Sequence, residues 1–373
     1  MMDLRAVLGM LYFCAVVRAC FRCGTRPHVP RSVRRQEAYP HSWPWMAYIE
    51  IGRETGEGNR YKYNCGGSLL DKRWVLTAAH CLHTPWDSPI QLQWQAEIIK
   101  VSLGVHNRAR RATTTAVIER NVSEVHIINS YKPDTLDNDA ALLKLSEPVP
   151  FNDEIGPTCP VDHRFDFEGA LCTVIGWGTL GFGNPVPSDV LTEAPVRYMS
   201  AESCRTNSRY PRDVITDDML CAEEYGGDGC AGDPGGPLLC EFPTDRKTEW
   251  KQLGIVSFGR GCEYISYPGV YTDVRKISDW LYRTIVAGSC GSLERLGSAY
   301  YTNDTTFETL RDLTERECEQ ECINIYKCKA ATYRRNPPTC WLQAKPQNAG
   351  NHSDWVAFRI KDGCKKPIPY TRT

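Results

Sequence analysis

The stretch RWVLTAAHC, residues 73–81, is an apolar run of strand length, and it sets the expectation for the fold. Further runs of this kind, bounded by Gly, Pro, Asp or Asn, are AALLKLS (140–146), CTVIGWG (172–178), LGIVSFG (253–259) and GVYTDV (269–274). No helical pattern separates these runs. Many short strands without intervening helices are typical of a β-barrel or a β-sandwich, so residues 40–275 are predicted to be all-β.

The apolar pattern changes after the last of these strands. Apolar side chains then recur at helical spacing, at Val274, Ile277, Trp280, Leu281 and Ile285. We expect a helix that stops at Gly288 and ends the first domain.

A second, cysteine-rich region follows at residues 290–364. Its cysteines are Cys290, Cys318, Cys322, Cys328, Cys340 and Cys364. Thr314 and Glu317 match a capping box, and Cys318 and Cys322 then fall one turn apart on one helical face. The pattern predicts a small disulfide-stapled domain, with a polar, Pro-containing tail at 365–373.

Residues 1–19 have the features of a secretory signal peptide. A short charged segment precedes the apolar stretch AVLGMLYFCAVV, and Val17-Arg18-Ala19 is an acceptable cleavage site. The apolar stretch is shorter than the roughly 20 residues of a membrane span, and no later segment is longer. We therefore expect a mature chain that is secreted, extracellular and without a membrane span.

The composition narrows the classes of function. The chain has 373 residues, 18 cysteines and a net charge of −1. A secreted chain so rich in cysteine is predicted to use it in disulfides, so neither a metal nor another cofactor is expected. The near-neutral charge argues against a nucleic-acid partner.

Three motifs occur in the order LTAAHC (76–81), NDAALLKL (138–145) and GDGCAGDPGGPLLC (227–240). Together with SWPW, CGGSL, GWG, VSFG and YPGVYTDV, they make residues 32–287 resemble the trypsin/chymotrypsin family of serine proteases. The resemblance implies two six-stranded antiparallel β-barrels with the active site in the cleft between them. Residues 20–31 would be a propeptide-like segment tethered by a disulfide.

The last region resembles a PAN/apple module, mainly through CEQECINIYKCKAATYRRNPPTCWL (318–342). The resemblance implies a small disulfide-rich α+β domain over residues 290–364 that binds proteins or carbohydrates.

By resemblance, His80 is the catalytic base and Asp139 orients it, but Pro234 occupies the position of the nucleophilic serine. Proline has neither a hydroxyl nor a backbone N–H. Gly232 therefore supplies only one of the two N–H donors that the family uses as an oxyanion hole. Proline also restricts the backbone of Asp233 before it, so we expect a reshaped loop. The sequence predicts a protein that is not an active enzyme.

The resemblance also places an activation site after Arg31, where cleavage would expose Ser32 as a new N-terminus to pair with Asp233. The family usually has Ile-Val-Gly-Gly at this point. Here Ser32 replaces the isoleucine and two arginines, Arg34 and Arg35, replace the glycines. A polar residue followed by two cations is a poor fit to a buried pocket, so we expect a second functional defect.

The specificity pocket matches the family better. Asp228 is at the position of the acidic floor residue of trypsin-like enzymes, with Gly259 and Gly269 at the walls. The resemblance implies a preference for Arg or Lys side chains. Simple inheritance of these residues is the alternative, and both interpretations stay open.

Eight disulfides are implied by the two resemblances: Cys23–Cys159, Cys65–Cys81, Cys172–Cys240, Cys204–Cys221, Cys230–Cys262, Cys290–Cys364, Cys318–Cys340 and Cys322–Cys328. Cys20 is left free or bridging to another molecule. Sequons begin at Asn121, Asn303 and Asn351, and we expect at least one to carry a glycan.

The loop GVHNRARRATTT (104–115) is basic, so calcium is not expected there. Its arginines are compatible with an anion-binding exosite, a processing site or an ordinary solvated loop.

The sequence favours an inactive protease homologue that binds an extracellular protein or glycan, with an Arg or Lys side chain entering the specificity pocket. Two alternatives stay open. One is an active serine endopeptidase cleaving after Arg or Lys, if Pro234 is a sequence error. The other is a structural or glycan-binding role centred on residues 290–364.

Overall fold

The computed structural model describes residues 23–26, 36–54, 60–82, 99–161, 168–178, 186–224, 232–243, 248–259, 266–290, 294–295, 299–301, 306–311, 330–335, 338–343, 349–351 and 355–359. The chain divides into two compact units, one ending at Lys276 and the other beginning at Ile277. None of the helices in the described residues combines the length and the apolar character that a membrane span requires.

The first unit contains a closed six-stranded barrel. After a short strand, β1 (Gln36–Glu37), come β2 (Met46–Glu54), β3 (Arg60–Leu69), β4 (Trp74–Thr77), β5 (Ile99–Leu103), β6 (Ile118–Ile127) and β7 (Ala141–Leu145). Strands β2 to β7 close in the order β2-β3-β4-β7-β6-β5, and every pairing is antiparallel. Every residue of β4 is buried, which explains why its sequence lacks the alternation of apolar and polar residues that a half-buried strand shows.

A second six-stranded barrel follows in the same unit. After the short strand β8 (Cys159–Pro160), its six strands are β9 (Leu171–Gly176), β10 (Thr192–Met199), β11 (Met219–Glu224), β12 (Pro237–Pro243), β13 (Thr248–Phe258) and β14 (Gly269–Asp273). The order β10-β11-β14-β13-β12-β9 is closed by pairing of β9 with β10, while β1 and β8 add at β10 and β13. Its core includes Val174, Tyr198, Leu238 and Tyr271. The predicted pair of antiparallel barrels is therefore confirmed.

Helices depart from the sequence-based expectation in two places. A helix, α1 (Ala201–Asn207), lies between strands β10 and β11, where none was predicted; Ser200 caps it by accepting a hydrogen bond from the N–H of Ser203. The predicted C-terminal helix, α2 (Val274–Cys290), continues beyond Gly288, where it was expected to stop. Glycine lowers helix stability by only about 1 kcal/mol, which a helix near its end tolerates. The division between the two compact units falls within α2.

Described strands of the second unit form two small antiparallel sheets. The strands are β15 (Glu294–Arg295), β16 (Ala299–Tyr301), β17 (Thr306–Arg311), β18 (Ala330–Arg335), β19 (Pro338–Gln343), β20 (Ala349–Asn351) and β21 (Trp355–Arg359). One sheet has the order β15-β21-β18-β19-β17, and β16 pairs with β20. Thr332 and Tyr333 on the central strand β18 are buried. The predicted helix around Cys318 and Cys322 lies outside the described residues.

Four of the implied disulfides are present: Cys23–Cys159, Cys65–Cys81, Cys172–Cys240 and Cys204–Cys221. Each of the other four pairs includes at least one cysteine outside the described residues. Cys20 also lies outside them. Cys23–Cys159 attaches the segment before β1 to the second barrel at β8, as expected for the propeptide-like segment.

Candidate functional site

His80 lies on a short 3-10 helix, Ala79–Cys81, directly after the buried strand β4. The disulfide from Cys81 to Cys65 on β3 fixes this turn to the barrel. Nδ1 of His80 lies 2.6 Å from Oδ2 of Asp139, and the backbone N–H of His80 donates to Oδ1 of Asp139 at 2.8 Å. The two residues that the motifs assigned to a catalytic pair are therefore brought together, with a geometry that holds the histidine ring in one orientation.

Asp139 is fully buried, and further hydrogen bonds hold it from the second barrel. Ser257 on β13 donates from Oγ to Oδ2 of Asp139 at 2.6 Å, and Thr272 on β14 donates from Oγ1 to the carbonyl oxygen of Asp139 at 2.9 Å. Burial, together with the charge of Asp139, raises the pKa of Tyr131 above its usual range. Sequence reasoning quoted VSFG and YPGVYTDV as family motifs but assigned no role to Ser257 or Thr272 within them.

Pro234 occupies the second position of a tight turn. The carbonyl oxygen of Asp233 accepts a hydrogen bond from the N–H of Gly236 at 2.8 Å, and Gly235 has a φ of 80°. These are the features of a type II turn, which favours proline at its second position and requires a positive φ, hence glycine, at its third. The chain accommodates Pro234 without backbone strain because the turn already demands the φ that proline imposes.

Hydrogen bonds on both sides hold this turn against the two barrels. The N–H of Gly66 on β3 donates to the carbonyl oxygen of Pro234 at 2.8 Å, and the N–H of Gly235 donates to that of Val256 on β13 at 2.8 Å. Sγ of Cys81 lies 3.6 Å from the Pro234 carbonyl oxygen and 4.0 Å from Nε2 of His80. The turn therefore lies near His80, with the Cys81 sulfur close to both. Because proline fits a type II turn, Pro234 does not require the change in loop conformation that we expected.

The groups facing Nε2 of His80 decide what the site can do. Among the described residues, the polar contact of this atom is with the disulfide sulfur of Cys81, not with a hydroxyl. The nearby hydroxyls have other partners, since Thr77 donates to the carbonyl oxygen of Gly66 and Ser257 donates to Asp139. Gly232, the predicted oxyanion donor, precedes the turn with a φ of 97°.

Asp233 is the activation-site aspartate of the resemblance. Its Oδ2 accepts a hydrogen bond from the backbone N–H of Trp177 at 2.8 Å, and Trp177 in turn donates from Nε1 to the carbonyl oxygen of His106 at 3.0 Å. Arg31 and Ser32, which the sequence predicted to supply the partner of Asp233, lie outside the described residues.

The walls of the predicted specificity pocket face each other. A Cβ added to Gly259 would lie 3.9 Å from Cα of Gly269, and one added to Gly269 would lie 3.1 Å from the hydroxyl of Tyr271. A side chain at Gly259 would therefore approach the backbone of Gly269, and one at Gly269 would press on the ring of Tyr271. Tyr271 also borders this space and was not singled out from the sequence. The predicted floor residue Asp228 lies outside the described residues.

The basic loop forms a 3-10 helix, Arg108–Thr113, and most of its charge is paired. Arg111 donates to Oε1 of Glu50 at 2.6 Å, and Nε of Arg108 lies 3.5 Å from Oδ1 of Asp189. Pairing of two of its three arginines weakens the interpretation of this loop as an anion-binding exosite. The first turn is also capped, because Asn107 accepts from the N–H of Arg110, which disfavours proteolysis within it.

Of the predicted sequons, Asn121 is exposed on strand β6, Asn351 lies at the end of β20, and Asn303 lies outside the described residues. The described residues contain one group that could be considered for a metal, Cys23, Cys159 and Glu249. Its two cysteines are joined in a disulfide, so their sulfurs are not available as thiolate ligands.

Two barrels with a His–Asp pair between them define the class of chymotrypsin-like serine protease homologues. A family model for Trypsin matches residues 32–281, and a model for the PAN domain matches residues 290–359. The chain belongs to the trypsin family and carries a PAN domain after its protease-like domain.

Two curated relatives show the range of similar proteins. Transmembrane protease serine 5 of Homo sapiens is 35% identical over 268 residues, which are 71% of this chain and 54% of that protein. Clotting factor G beta subunit of Tachypleus tridentatus is 34% identical over 282 residues, or 73% of this chain and 85% of that protein. The chain spans about half the length of the human relative.

Proposed function

We propose that this chain is a secreted, catalytically inactive homologue of trypsin-like serine proteases, and that it acts by binding an extracellular protein or glycan. The observation that carries the proposal is Pro234, in a turn beside an otherwise well-formed His80–Asp139 pair. Because proline suits the turn, the replacement removes the hydroxyl and the N–H of this position while preserving its backbone.

The expected loss of activity is large. Removal of a triad nucleophile lowers kcat by a factor on the order of 10⁴–10⁶. Loss of one oxyanion donor lowers it by roughly 10²–10³ on its own. The described residues near His80 offer no replacement, since the thiols of Cys65 and Cys81 are joined in a disulfide and Thr77 and Ser257 have other partners.

Binding would use the surfaces that remain. The predicted pocket has no side chain on its walls at Gly259 and Gly269, and Asp228 at its floor would pair with an Arg or Lys side chain of a partner. The PAN domain would add a second surface for a protein or a glycan. A secreted, extracellular protein agrees with the four disulfides of the first unit and with the apolar leader, and Asn121, on an exposed strand position, would carry a glycan.

The test is labelling with a fluorophosphonate, which reacts with activated serine. We expect no labelling of the natural protein within residues 32–287, before or after cleavage following Arg31. Stoichiometric labelling of the natural protein would overturn the proposal in favour of an active endopeptidase that cleaves after Arg or Lys.

Pro234→Ser is the matched variant for this experiment. We expect the single replacement to restore little hydrolysis of arginyl substrates, because Ser32, Arg34 and Arg35 still provide a poor activation terminus. Pro234→Ser combined with Ile-Val-Gly-Gly at residues 32–35 should restore far more. Hydrolysis at the rate of active relatives by the single variant, cut after Arg31, would show that residues 32–35 are not a second defect.

A further inference from the structure

A buried arginine side chain lies outside the catalytic cleft, on the second barrel. The guanidinium of Arg26 donates from Nη2 to Oε2 of Glu193 at 2.6 Å and to Oγ of Ser42 at 3.4 Å. Its Cζ lies 3.7 Å from the ring centroid of Trp43 and 5.4 Å from that of Trp250. The arginine therefore has an acceptor and two aromatic faces, which is the environment that a guanidinium prefers.

The residues around Arg26 also contact one another. Nε1 of Trp43 donates to the same carboxylate oxygen of Glu193 at 2.7 Å, and the rings of Trp43 and Trp250 meet edge to face at 4.8 Å. The exposed fractions are 8% for the Arg26 side chain and 4% for that of Glu193. Burial lowers the pKa of Arg26 and Glu193 opposes this shift, while arginine remains charged at any physiological pH.

The backbone beside Arg26 is fixed to the same barrel. The N–H of Gly24 donates to the carbonyl oxygen of Pro157 at 2.9 Å, and the N–H of Trp250 donates to that of Gly24 at 2.9 Å. Cys23 forms its disulfide with Cys159 next to this point. Residues 23–26 are thus joined to the second barrel by a disulfide, by backbone hydrogen bonds and by the Arg26 side chain.

Glu193 also contacts the chain on the far side of Arg31. In the register of β1 with β10, Gln36 pairs with Glu193. The side-chain carboxylate of Glu193 accepts a hydrogen bond from Arg26, and the backbone of Glu193 pairs with that of Gln36. Glu193 therefore contacts the chain both before and after the predicted cleavage position. A cut after Arg31 would leave both of these attachments intact.

We propose that Ser42, Trp43, Glu193 and Trp250 form a guanidinium-binding site, distinct from the predicted specificity pocket, whose ligand is the chain's own Arg26. The site holds the segment before residue 27 on the second barrel independently of the Cys23–Cys159 disulfide. The inference does not depend on whether the protein is active, so it can fail or hold separately from the proposed function.

Chemical rescue tests the site directly. Arg26→Ala should lower the Tm by roughly 5–10 °C, because it leaves the carboxylate of Glu193 buried without its partner. Millimolar methylguanidinium should recover part of this loss, whereas methylammonium at equal ionic strength should not. Neither salt should raise the Tm of the natural protein, whose site is filled, or of the double variant Arg26→Ala/Glu193→Gln.

Equal effects of the two salts on Arg26→Ala, or equal rescue of the double variant, would overturn the proposal. Hydrogen exchange keeps it testable if Arg26→Ala does not fold. Glu193→Gln should speed exchange of the Gly24 and Trp250 amides roughly tenfold or more, because it removes the charge that holds Arg26. Glu223→Gln is the matched control, because Glu223 is exposed on the neighbouring strand β11 opposite Arg197, and it should leave both rates unchanged. Unchanged exchange in Glu193→Gln would contradict the site.

Discussion

The His80–Asp139 pair and the turn from Asp233 to Gly236 border the same cleft but come from different barrels. Asp139 is fully buried and accepts hydrogen bonds from His80 and from Ser257 on the opposite barrel. Pro234 is exposed, and the hydrogen bonds that hold the turn involve backbone groups and the carboxylate of Asp233, which accepts from the N–H of Trp177. The chemistry of Asp139 is thus tied to the stability of the fold, whereas the side chain at residue 234 can change without affecting it.

This contrast explains how residue 234 could change while the His80–Asp139 pair stayed intact. A buried carboxylate is expensive to disturb because its donors lose their acceptor. A side chain at the second position of a type II turn is constrained only in φ, and proline satisfies that constraint. Residual catalytic residues are therefore weak support for activity, and the residue at position 234 is the informative one.

The largest effect on stability should come from Asp139. We expect Asp139→Ala to lower the free energy of unfolding by roughly 3–5 kcal/mol, because it leaves the backbone N–H of His80 and the hydroxyl of Ser257 without their acceptor. Ser257→Ala, which removes one donor to a charged acceptor, should cost about 1.5–3 kcal/mol. Chemical denaturation of both variants measures the difference. A loss below that of Ser257→Ala would mean that Asp139 is retained for a reason other than stability.

The strand pattern alone predicted an all-β domain and left barrel and sandwich open. The two barrels and the His80–Asp139 pair were implied by the family resemblance, which short contiguous motifs carry. The type II turn could also have been recognised, since Pro-Gly in DPGG carries its sequence signature. The guanidinium site could not, because Arg26, Trp43, Glu193 and Trp250 meet only when the second barrel closes. Helix α1 was missed because its seven residues are too few to show an apolar period.

A smaller effect is expected at the predicted specificity pocket, whose wall residues Gly259 and Gly269 follow β13 and begin β14. Benzamidine should bind weakly, because its amidinium can pair bidentately with Asp228 between Gly259 and Gly269. At ten times its Kd, the ligand should stabilise the protein by about 1.4 kcal/mol, measured by thermal shift and calorimetry. Asp228→Ala should abolish binding. Absence of binding in the natural protein, or unchanged binding in Asp228→Ala, would mean that these residues are inherited scaffold.

The smallest effect should be that of Pro234 on stability, and its sign is the sharpest test of the comparison. Proline limits the unfolded chain more than serine does, and the turn already has the φ that proline requires, so Pro234→Ser should lower the free energy of unfolding by about 0.4–1 kcal/mol. Pro234→Ala is the matched control, and it should lose a similar amount because the cause is the ring and not the hydroxyl. Urea denaturation at equal protein concentration resolves the two variants from the natural protein. A clear gain in stability in either variant would show that Pro234 strains the turn in spite of the hydrogen bonds that Gly66, Gly235 and Gly236 make there.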